Sequence, residues 1–396
     1  MPKLSSYPYG SINPPRDQSI VYASSSVEEV MRGMEEGDPL LYGRWDHANT
    51  SPLKEWLAEL EGTTKNAVWL TNSGMAAIDL LFRAIRSSKF RSRERIVASP
   101  YLYGGTWKLL KYMQREGLSI ISWVKNTFEI ESWEKVMCER SLSPALVFLE
   151  SPSNPTAELF DIRGIAEIVH RHGSRLVVDN TIGVGLVSPL QLGADGVLYS
   201  VSKAINRKSS HLGGALVLTP EYRDVLGESL DELFKLVGYI MSSESACAAM
   251  SGRTTLKDDM RKFSHNATRL AHALLSHEAV QRVCYPSLPS SSHHLLAKRQ
   301  MPEGAGGLLS FDLGSFEKAV RFVEEQEAAY LAVHLGDVNN DFVTLPITAS
   351  HSDLSEAELL DIGITPGLVR VSVSLKDTVA FSAVIAEYMR VLDTLV

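Results

Sequence analysis

The fold is decided by Gly196-Val197-Leu198-Tyr199-Ser200-Val201-Ser202-Lys203, a short apolar strand that ends in hydroxyl side chains and a lysine. A second stretch, Leu176-Val177-Val178-Asp179-Asn180, is an apolar run that ends in a carboxylate. Each is weak evidence alone, because a lysine after a strand is usually a solvated surface charge and a strand-end aspartate can equally bind magnesium in a nucleotide hydrolase. That hydrolase also requires G-x-x-x-x-G-K-[ST], which this sequence lacks.

Together the two stretches suit pyridoxal 5′-phosphate (PLP). In this interpretation Lys203 forms the Schiff base and Asp179 pairs with the pyridinium nitrogen. The hydroxyls of Ser200 and Ser202 then hold the phosphate, and Gly213-Gly214 follow closely in the sequence.

Composition indicates an ordinary soluble globular protein. The 396 residues suffice for one large domain and a smaller one, with 44% apolar and 22% charged residues. The net charge of -8 and the pI near 5.8 argue against a broad nucleic-acid surface. No apolar run approaches the length of a membrane span.

Cysteine usage indicates a reducing compartment. Cys138, Cys247 and Cys284 are too few and too scattered for a disulfide framework or a C-x-x-C metal site, so no metal is expected. The first residues contain no apolar segment typical of a signal peptide. The sequence therefore predicts a cytoplasmic protein that acts on small molecules and binds neither nucleic acid nor membrane.

Residues 1–45 are rich in Pro, Ser, Tyr and Gly and cannot bury a core by themselves. They are predicted to form an arm that packs on another part of the molecule or on a neighbouring subunit. Near its end, Tyr42 and Arg44 are two residues apart, so in an extended segment their side chains point the same way. They can grip a phosphate there, or they can simply be solvated side chains on a strand.

Strands alternate with helices from about residue 65 to 220, which predicts a mainly parallel sheet covered on both faces in a large α/β domain, residues 46–250. One of these strands runs into a turn of small residues that contains Ser73, Gly74 and Met75 and then into an amphipathic helix. Free backbone N–H groups at the start of that helix form an anion site, or the serine merely caps the helix.

Further candidate residues follow other strand ends. Tyr103 precedes two glycines that leave space for its ring to lie on a planar ligand, although a core tyrosine beside a turn is the alternative. Asn154 lies in a loop stiffened by two prolines. Since ligands of open α/β sheets bind at the carboxyl ends of the strands, one crevice can collect Tyr103, Asn154, Asp179 and Lys203.

Beyond residue 220 long helices give way to scattered strands, which predicts a smaller α+β domain, residues 251–396. Arg370 lies inside one of these strands, in Leu368-Val369-Arg370-Val371-Ser372-Val373. It either faces solvent or points inward and pairs with an anion, and the inward alternative is favoured because Ser372 and Ser374 share its side of the strand.

These residues resemble one family, the Cys/Met-metabolism PLP-dependent enzymes, which share the fold-type I architecture of aspartate aminotransferase. Its members include cystathionine γ-synthase, the cystathionine lyases, methionine γ-lyase and O-acetylhomoserine sulfhydrylase. The likeness extends from about Tyr42 to the C-terminal helix. It is carried by Ser73-Gly74-Met75-Ala76-Ala77, Tyr103-Gly104-Gly105-Thr106, Glu150-Ser151-Pro152-Ser153-Asn154-Pro155, the Asp179 and Lys203 stretches and the Arg370 strand.

The resemblance implies a role for each matched residue. Lys203, Tyr103 and Asp179 would be catalytic, and Asn154 would lie near the phenolic oxygen of the cofactor. Arg370 would bind the substrate carboxylate. The remaining cofactor contacts would come from the turn at residues 73–75, from Ser200 and Ser202, and from Tyr42 and Arg44, which reach the phosphate of the neighbouring subunit. A homodimer or homotetramer with shared active sites is therefore expected.

Subfamily signals disfavour methionine γ-lyase activity and cystathionine as the substrate. Gly105 stands where methionine γ-lyases usually carry a cysteine, and Val333-His334-Leu335-Gly336 replaces the Glu-Ser-Leu-Gly of the cystathionine enzymes. Gly336-Asp337, residues 350–359 and residues 363–367 look most like the O-acetylhomoserine sulfhydrylase branch. The stretch after Lys203 departs from the family's Lys-Tyr-Ile-x-Gly-His-Ser-Asp, which argues against an ordinary housekeeping substrate.

The resemblance implies γ-replacement on an O-acylhomoserine-like or other γ-substituted L-amino acid, through a vinylglycine-type ketimine that takes up a thiol or carbon nucleophile. γ-Elimination is the alternative, a β-lyase or an aminotransferase ranks below it, and a non-catalytic binding protein ranks last. His334 is a candidate contact of the γ-substituent or the incoming group, although a satisfied histidine at a strand end fits equally. The leaving group and the nucleophile stay open.

Overall fold

The computed structural model describes residues 16–36, 41–87, 95–139 and 143–396. The helices are α1 (Val27–Glu36), α2 (Thr50–Glu61), α3 (Gly74–Ser87), α4 (Gly104–Arg115), α5 (Ile130–Cys138), α6 (Ile162–Arg171), α7 (Pro220–Val237), α8 (Ser243–Met250), α9 (Leu256–Leu275), α10 (His294–Gln300), α11 (Phe316–Glu325), α12 (Glu356–Asp361) and α13 (Thr378–Asp393). The strands are β1 (Val68–Thr71), β2 (Arg95–Ala98), β3 (Ile120–Trp123), β4 (Leu146–Glu150), β5 (Leu176–Asp179), β6 (Gly196–Tyr199), β7 (Gly214–Leu218), β8 (Arg282–Cys284), β9 (Leu308–Asp312), β10 (Tyr330–Leu331), β11 (Phe342–Thr344) and β12 (Leu368–Ser372).

A seven-stranded sheet with the order β1-β7-β6-β5-β4-β2-β3 forms the larger layer. Its strands pair in parallel except around β7, which is antiparallel to both of its neighbours. Adjacent residues of β4 pack into different apolar clusters, Val147 with α5 and α6 and Phe148 with α3 and α4. Burial on both faces explains why these strands are continuous apolar runs, and the predicted α/β class with a mainly parallel sheet is confirmed.

Helix ends follow local chemistry. Gly62 has φ 73° and ends α2, and the Thr219 hydroxyl accepts from the Tyr222 N–H at the start of α7. The sequence predicted one helical region from residue 222 to 250, but the structure divides it. Gly238, with φ 79°, ends α7 and the chain then makes a bridge between Ile240 and Thr71 before α8.

A five-stranded sheet with the order β10-β11-β12-β9-β8 forms the smaller layer. Strand β12 lies at its centre and pairs antiparallel with β9 and β11, so that Arg370 lies opposite Ser310 and Thr344. Helices α9, α11 and α13 pack with this sheet through apolar residues that include Phe263, Phe322 and Phe381. An α+β C-terminal part is thus present as predicted.

Two expectations about the chain's organisation stay predictions. The domain boundaries at residues 46 and 251 are not tested by the fold. The expected arm at residues 1–45 lies partly outside the described residues, since 1–15 and 37–40 are not described. Its described part contains α1, on which Val27 and Met31 are exposed. Among the described residues, no helix combines the length and the apolar character needed to cross a bilayer.

Candidate active site

The strand ends of the large sheet and three segments of the small domain enclose a cavity of about 390 Å³. All the residues predicted for the site except Tyr42 and Arg44 line it. Those lining residues are Ser73, Gly74, Met75, Tyr103, Asn154, Asp179, Ser200, Ser202, Lys203, His334 and Arg370. The convergence follows from the topology, because parallel strands place their carboxyl ends on the same edge of the sheet.

Lys203 lies in the turn after β6 and directs its amine into the cavity. Its Nζ atom lies 3.2 Å from Nδ1 of His334, which comes from the small domain. Burial lowers the pKa of Lys203 to about 8, and the nearby charge of Arg370 adds to the effect. At pH 7 an amine with this pKa is neutral in about a tenth of molecules, roughly 300-fold more than at the ordinary lysine value, and the neutral form is the one that acts as a nucleophile or a base.

His334 is kept neutral in the same cavity. Burial lowers its pKa to about 4; the charges of Lys203 and Arg370 add to this effect, and the charge of Asp337 opposes it. Within the described chain its buried Nε2 atom has no hydrogen-bond partner. The ring therefore carries no charge of its own, and its Nδ1 atom accepts from Lys203 or donates to it according to the tautomer.

Asp179 ends β5 and is buried at the floor of the cavity. The hydroxyl of Thr181 donates to its Oδ1 atom at 2.6 Å, and the backbone N–H of Thr181 donates to the same atom at 3.0 Å. Burial nevertheless raises the pKa of Asp179, against these two hydrogen bonds. The Thr181 hydroxyl also accepts from the backbone N–H of Ser200 at 2.8 Å, which ties the ends of β5 and β6 together.

Glu150 is a second buried carboxylate, and its place in the site was not predicted. It ends β4 and lies opposite Asp179 in the parallel register. One oxygen accepts from the backbone N–H of Tyr103 and the other from that of Asn154, each at 2.7 Å. Burial and then the charge of Asp179 raise the pKa of Glu150 well above its ordinary value. A strand-final carboxylate between two candidate loops was the available signal.

The turn at residues 73–75 meets two other segments at close range. The Ser73 hydroxyl accepts from the Ala76 N–H at 3.1 Å, so it caps α3. A Cβ atom on Gly74 would lie 3.1 Å from Cβ of Ser200, and one on Gly214 would lie 2.2 Å from the carbonyl oxygen of Ser73. Because these segments lie so close together, the N–H groups that begin α3 face the cavity beside Ser200. This arrangement suits the binding of a phosphate.

Ser202 is already engaged within the chain. Its hydroxyl donates to the carbonyl oxygen of Gly213 at 3.1 Å and accepts from the Gly213 N–H at 2.9 Å. These bonds hold the turn after β6 against the start of β7. Its phosphate contact stays a prediction.

We expect Gly214→Ala to weaken cofactor binding by at least about tenfold, because the added methyl group must push the Ser73 turn away from Ser200. Gly164→Ala is the control for loss of a glycine with an ordinary φ, since an added Cβ there meets only side-chain atoms of Ile130 at 3.2 Å and Asp161 at 3.3 Å. Equilibrium dialysis of the two variants against pyridoxal phosphate compares them. Equal affinity in wild type and Gly214→Ala would contradict the tight junction.

Arg370 is buried at 3% exposure and has no carboxylate partner among the described residues. Its Nη1 atom donates to Oδ1 of Asn154 at 3.2 Å and its Nη2 atom to the carbonyl oxygen of His334 at 3.0 Å. The Nε atom is buried without a partner in the described chain, and burial lowers the pKa of Arg370 to about 10. A buried cation with a spare donor calls for an anionic ligand.

Tyr103 lies at the rim of the cavity, with 42% of its surface exposed. Its ring lies over Gly105, where an added Cβ would come within 2.6 Å of Cε1 of Tyr103 and 3.2 Å of Sδ of Met75. The absence of a side chain at position 105 therefore permits this position of the ring. Tyr103 is free to pack on a planar group inside the cavity.

Tyr42 and Arg44 do not join the cavity of their own chain. Arg44 donates to the carbonyl oxygens of Lys235 and Leu236, the latter at 3.4 Å, at the end of α7. Its guanidinium carbon lies 5.3 Å from the centre of the Tyr42 ring. Their expected contact with a neighbouring subunit's phosphate stays a prediction.

A second cavity, of about 700 Å³, lies between the β3–α5 loop, α4 and α12. Trp107 and Trp123 stack at 5.9 Å between ring centres on its wall, and Lys111 pairs with Glu358 at 3.1 Å. It contains none of the residues predicted for the site. Although this cavity is larger, the unpaired cation, the buried carboxylates and the depressed lysine pKa all belong to the smaller one, which we take as the active site.

The residues of the smaller cavity fit pyridoxal phosphate. The cofactor needs an amine for its aldehyde, a carboxylate for its ring nitrogen and N–H or hydroxyl donors for its phosphate. Lys203, Asp179 and the turn that contains Ser73 supply these three groups in one cavity. The pKa of Asp179 is raised by burial, so a cationic ring nitrogen beside it would relieve an unfavourable buried charge.

Comparison of the whole chain with known proteins also indicates a PLP-dependent enzyme. A family model described as Cys/Met metabolism PLP-dependent enzyme matches residues 3–386. The cystathionine gamma-lyase of Bacillus subtilis (strain 168) is 30% identical over 361 residues, with 90% of each chain covered. An O-succinylhomoserine sulfhydrylase of Pseudomonas aeruginosa is 33% identical over 341 residues, covering 85% of this chain and 80% of the relative.

A solved structure agrees with these sequence relatives. It is a putative O-acetylhomoserine (thiol)-lyase from Campylobacter jejuni, which superposes with a TM-score of 0.86 at 26% identity and covers 97% of this chain and 96% of its own. That protein carries a pyridoxyl-lysine monophosphate group. The fold and the cofactor chemistry predicted from the sequence thus occur together in a protein of matching length.

Proposed function

The chain belongs to the Cys/Met metabolism PLP-dependent enzymes, and from that premise we propose that it catalyses γ-replacement on an O-acylhomoserine-like or other γ-substituted L-amino acid, with a thiol or carbon nucleophile. The observation that carries the proposal is the buried, carboxylate-free Arg370 within reach of the same cavity as Lys203 and Asp179. This arrangement offers one place for an α-carboxylate beside an amine and a ring-binding carboxylate.

The cavity residues divide the work by their chemistry. When bound, pyridoxal phosphate supplies a conjugated, electron-withdrawing ring that acidifies hydrogens on the substrate carbon attached to its imine. Lys203 would anchor the cofactor at rest and, once displaced, would carry protons between substrate carbons, for which a pKa of about 8 is suitable. Asp179 would hold the ring nitrogen protonated, and Tyr103 would pack against the ring face.

Arg370 and Asn154 position the substrate. The guanidinium would take the α-carboxylate through paired donors, and its bond to Asn154 at 3.2 Å holds the amide that would lie near the cofactor's phenolic oxygen. The His334 carbonyl oxygen accepts from Nη2 of Arg370 and so helps to fix the orientation of the planar guanidinium group. The His334 ring lies beside Lys203, and this position supports the proposal that it contacts the γ-substituent or the incoming group.

We expect Arg370→Met to raise KM for the amino-acid substrate about tenfold to a hundredfold, since a charge-assisted hydrogen bond contributes about 1.5–3 kcal/mol. Methionine fills a similar volume, so the strand should persist. Steady-state kinetics and the visible spectrum of the bound cofactor test this. Arg282→Met is the control, because Arg282 lies exposed on β8 of the same sheet. An unchanged KM in Arg370→Met would remove this residue from the substrate site.

The alternative proposal is γ-elimination, favoured by the likeness to a protein named cystathionine gamma-lyase. One assay separates the two. O-Acetyl-L-homoserine with and without a thiol should give a thioether only when the thiol is present if the enzyme performs γ-replacement. Release of 2-oxobutyrate without thiol would instead establish γ-elimination. Release of pyruvate from cystathionine would indicate a β-lyase. Conversion of the bound cofactor to its amine form by an amino donor would indicate an aminotransferase.

We further propose that the enzyme is a homodimer or homotetramer whose active sites are shared between subunits. Tyr42 and Arg44 lie outside the cavity of their own chain, as residues that serve a neighbouring phosphate would. Light scattering combined with activity tests this proposal. A fully active monomer would contradict it.

A further inference from the structure

Three side chains with metal-binding donors meet away from the active site. Glu134 and Cys138 are one helical turn apart on α5, and His172 follows the last residue of α6. Oε1 of Glu134 lies 2.7 Å from Nε2 of His172, and Sγ of Cys138 lies 3.9 Å and 4.0 Å from these two atoms. An oxygen, a nitrogen and a sulfur thus surround one point.

We propose that Glu134, Cys138 and His172 form a binding site for a borderline-soft divalent cation such as Zn²⁺. Zinc takes Cys sulfur at about 2.3 Å, His nitrogen at about 2.0 Å and carboxylate oxygen at about 2.1 Å, which sets the ligand atoms roughly 3.3–3.6 Å apart in a tetrahedron. The observed separations of 2.7, 3.9 and 4.0 Å bracket that range. Small side-chain rotations suffice to reach it.

Two helix ends favour a cation at this point, and a neighbouring arginine orients one of the ligands. Cys138 is the last residue of α5 and His172 the first after α6, so the negative ends of two helix dipoles converge on the site. Arg171 donates to Oε2 of Glu134 at 2.5 Å, which leaves Oε1 turned toward the cysteine and the histidine. A hydrogen bond to the far oxygen is a common way to orient a carboxylate ligand.

The donor set selects the kind of metal. A thiolate and an imidazole prefer zinc and its neighbours over magnesium or calcium, which take oxygen ligands. The partial exposure of the cluster leaves room for a water molecule as the fourth ligand.

The site lies at the opposite edge of the sheet from the catalytic cavity. Helix α5 leads into β4 and α6 into β5, so their final residues stand at the amino ends of those strands, whereas the cavity lies at the carboxyl ends. Metal binding would join the ends of α5 and α6 without touching the cofactor. Its expected effect is on thiol reactivity and stability, which keeps this inference separate from the proposed catalytic function.

Thiol labelling of the full-length enzyme with its cofactor bound tests the site. Cys138 is exposed, Cys247 half-buried and Cys284 buried, so Cys138 should react first with a disulfide reagent. One equivalent of Zn²⁺ should slow that reaction at least about tenfold, since a coordinated thiolate is withdrawn from attack. Mg²⁺ should have no effect.

Two variants decide the outcome. His172→Gln should abolish protection by Zn²⁺ while Cys138 still reacts, and His265→Gln, which changes an exposed histidine on α9, should keep full protection. The unchanged visible spectrum of the bound cofactor reports an intact fold. Absence of protection in the wild type, or equal protection in His172→Gln, would overturn the proposed metal site.

Discussion

Replacement of Lys203 by alanine should lower turnover by at least about 10³-fold, because the chain would lose both the cofactor's covalent anchor and the base that moves protons. The amine is the one predicted to attach the cofactor, and it lies in the cavity 3.2 Å from His334. Borohydride reduction followed by mass spectrometry of the peptide that contains residue 203 should find the pyridoxyl group in the wild type and not in the variant.

Lys208→Ala is the matched control for this variant. Lys208 is exposed and only five residues further along the chain, so its removal should leave both the reduced adduct and the turnover intact. An adduct that persists in Lys203→Ala would assign the cofactor to another lysine. Equal loss of activity in both variants would indicate that activity depends on the conformation of this loop and not on the Lys203 amine.

Stability gives an independent check that Lys203→Ala is folded. Burial lowers the pKa of Lys203 from 10.5 to about 8, so the cofactor-free folded state binds fewer protons than the unfolded state between those values. Stability of the cofactor-free wild type should therefore rise with pH across this window. At pH 7 the alanine variant should be at least as stable as the wild type, with the difference shrinking as the pH rises. Thermal unfolding measures this.

Residues that act through their position at a strand end could be predicted from the sequence. The alternation of strands and helices fixed where the ends of β4, β5 and β6 must lie, so Asn154, Asp179 and Lys203 could be expected in one crevice. The sequence pattern around Arg370 favoured a buried side chain but did not exclude an exposed one. Its serine neighbours indicated an inward side, while the orientation depended on the sheet that β12 joins.

Contacts between distant segments could not be predicted in the same way. Lys203 and His334 are 131 residues apart and meet only because the small domain lies against the strand ends of the large sheet. Glu150 was visible as a strand-final carboxylate, yet its function as acceptor for two loop N–H groups depends on how those loops fold back. Ser202 could be placed in the cavity from the sequence, but the hydrogen bond that its hydroxyl donates to the Gly213 carbonyl oxygen could not be predicted.

Asp179→Asn should reduce turnover roughly 10²–10³-fold, the usual cost of removing one preorganised charge from an active site. Asparagine keeps the shape and can still accept from Thr181, whose hydroxyl lies 2.6 Å from Oδ1 of Asp179. It has no negative charge, so it cannot hold the ring nitrogen of the cofactor protonated. Steady-state kinetics with the cofactor at saturation separates this loss from weaker cofactor binding.

Asp312→Asn is a closely matched control, because Asp312 is also buried and accepts from a threonine hydroxyl at 2.6 Å and from a backbone N–H at 2.8 Å. It lies outside the cavity, at the end of β9. Both variants therefore replace a buried carboxylate that accepts comparable hydrogen bonds, while only one of them changes a charge in the active site. A comparable loss of turnover in both would mean that Asp179 acts through folding alone.

The cofactor-free form of Asp179→Asn provides a readout that a structural role would not produce. Burial raises the pKa of Asp179 and of Glu150, so the folded state binds more protons than the unfolded state above the usual carboxyl pKa of about 4. Stability of the cofactor-free wild type should then fall as the pH rises through that window. Asparagine removes one of the two carboxylates and also the negative charge that raises the pKa of Glu150, so the fall should be smaller in the variant. A variant that loses the same stability at every pH would show that the buried charge is not what Asp179 contributes, and the assignment of the ring nitrogen's partner would have to move to Glu150.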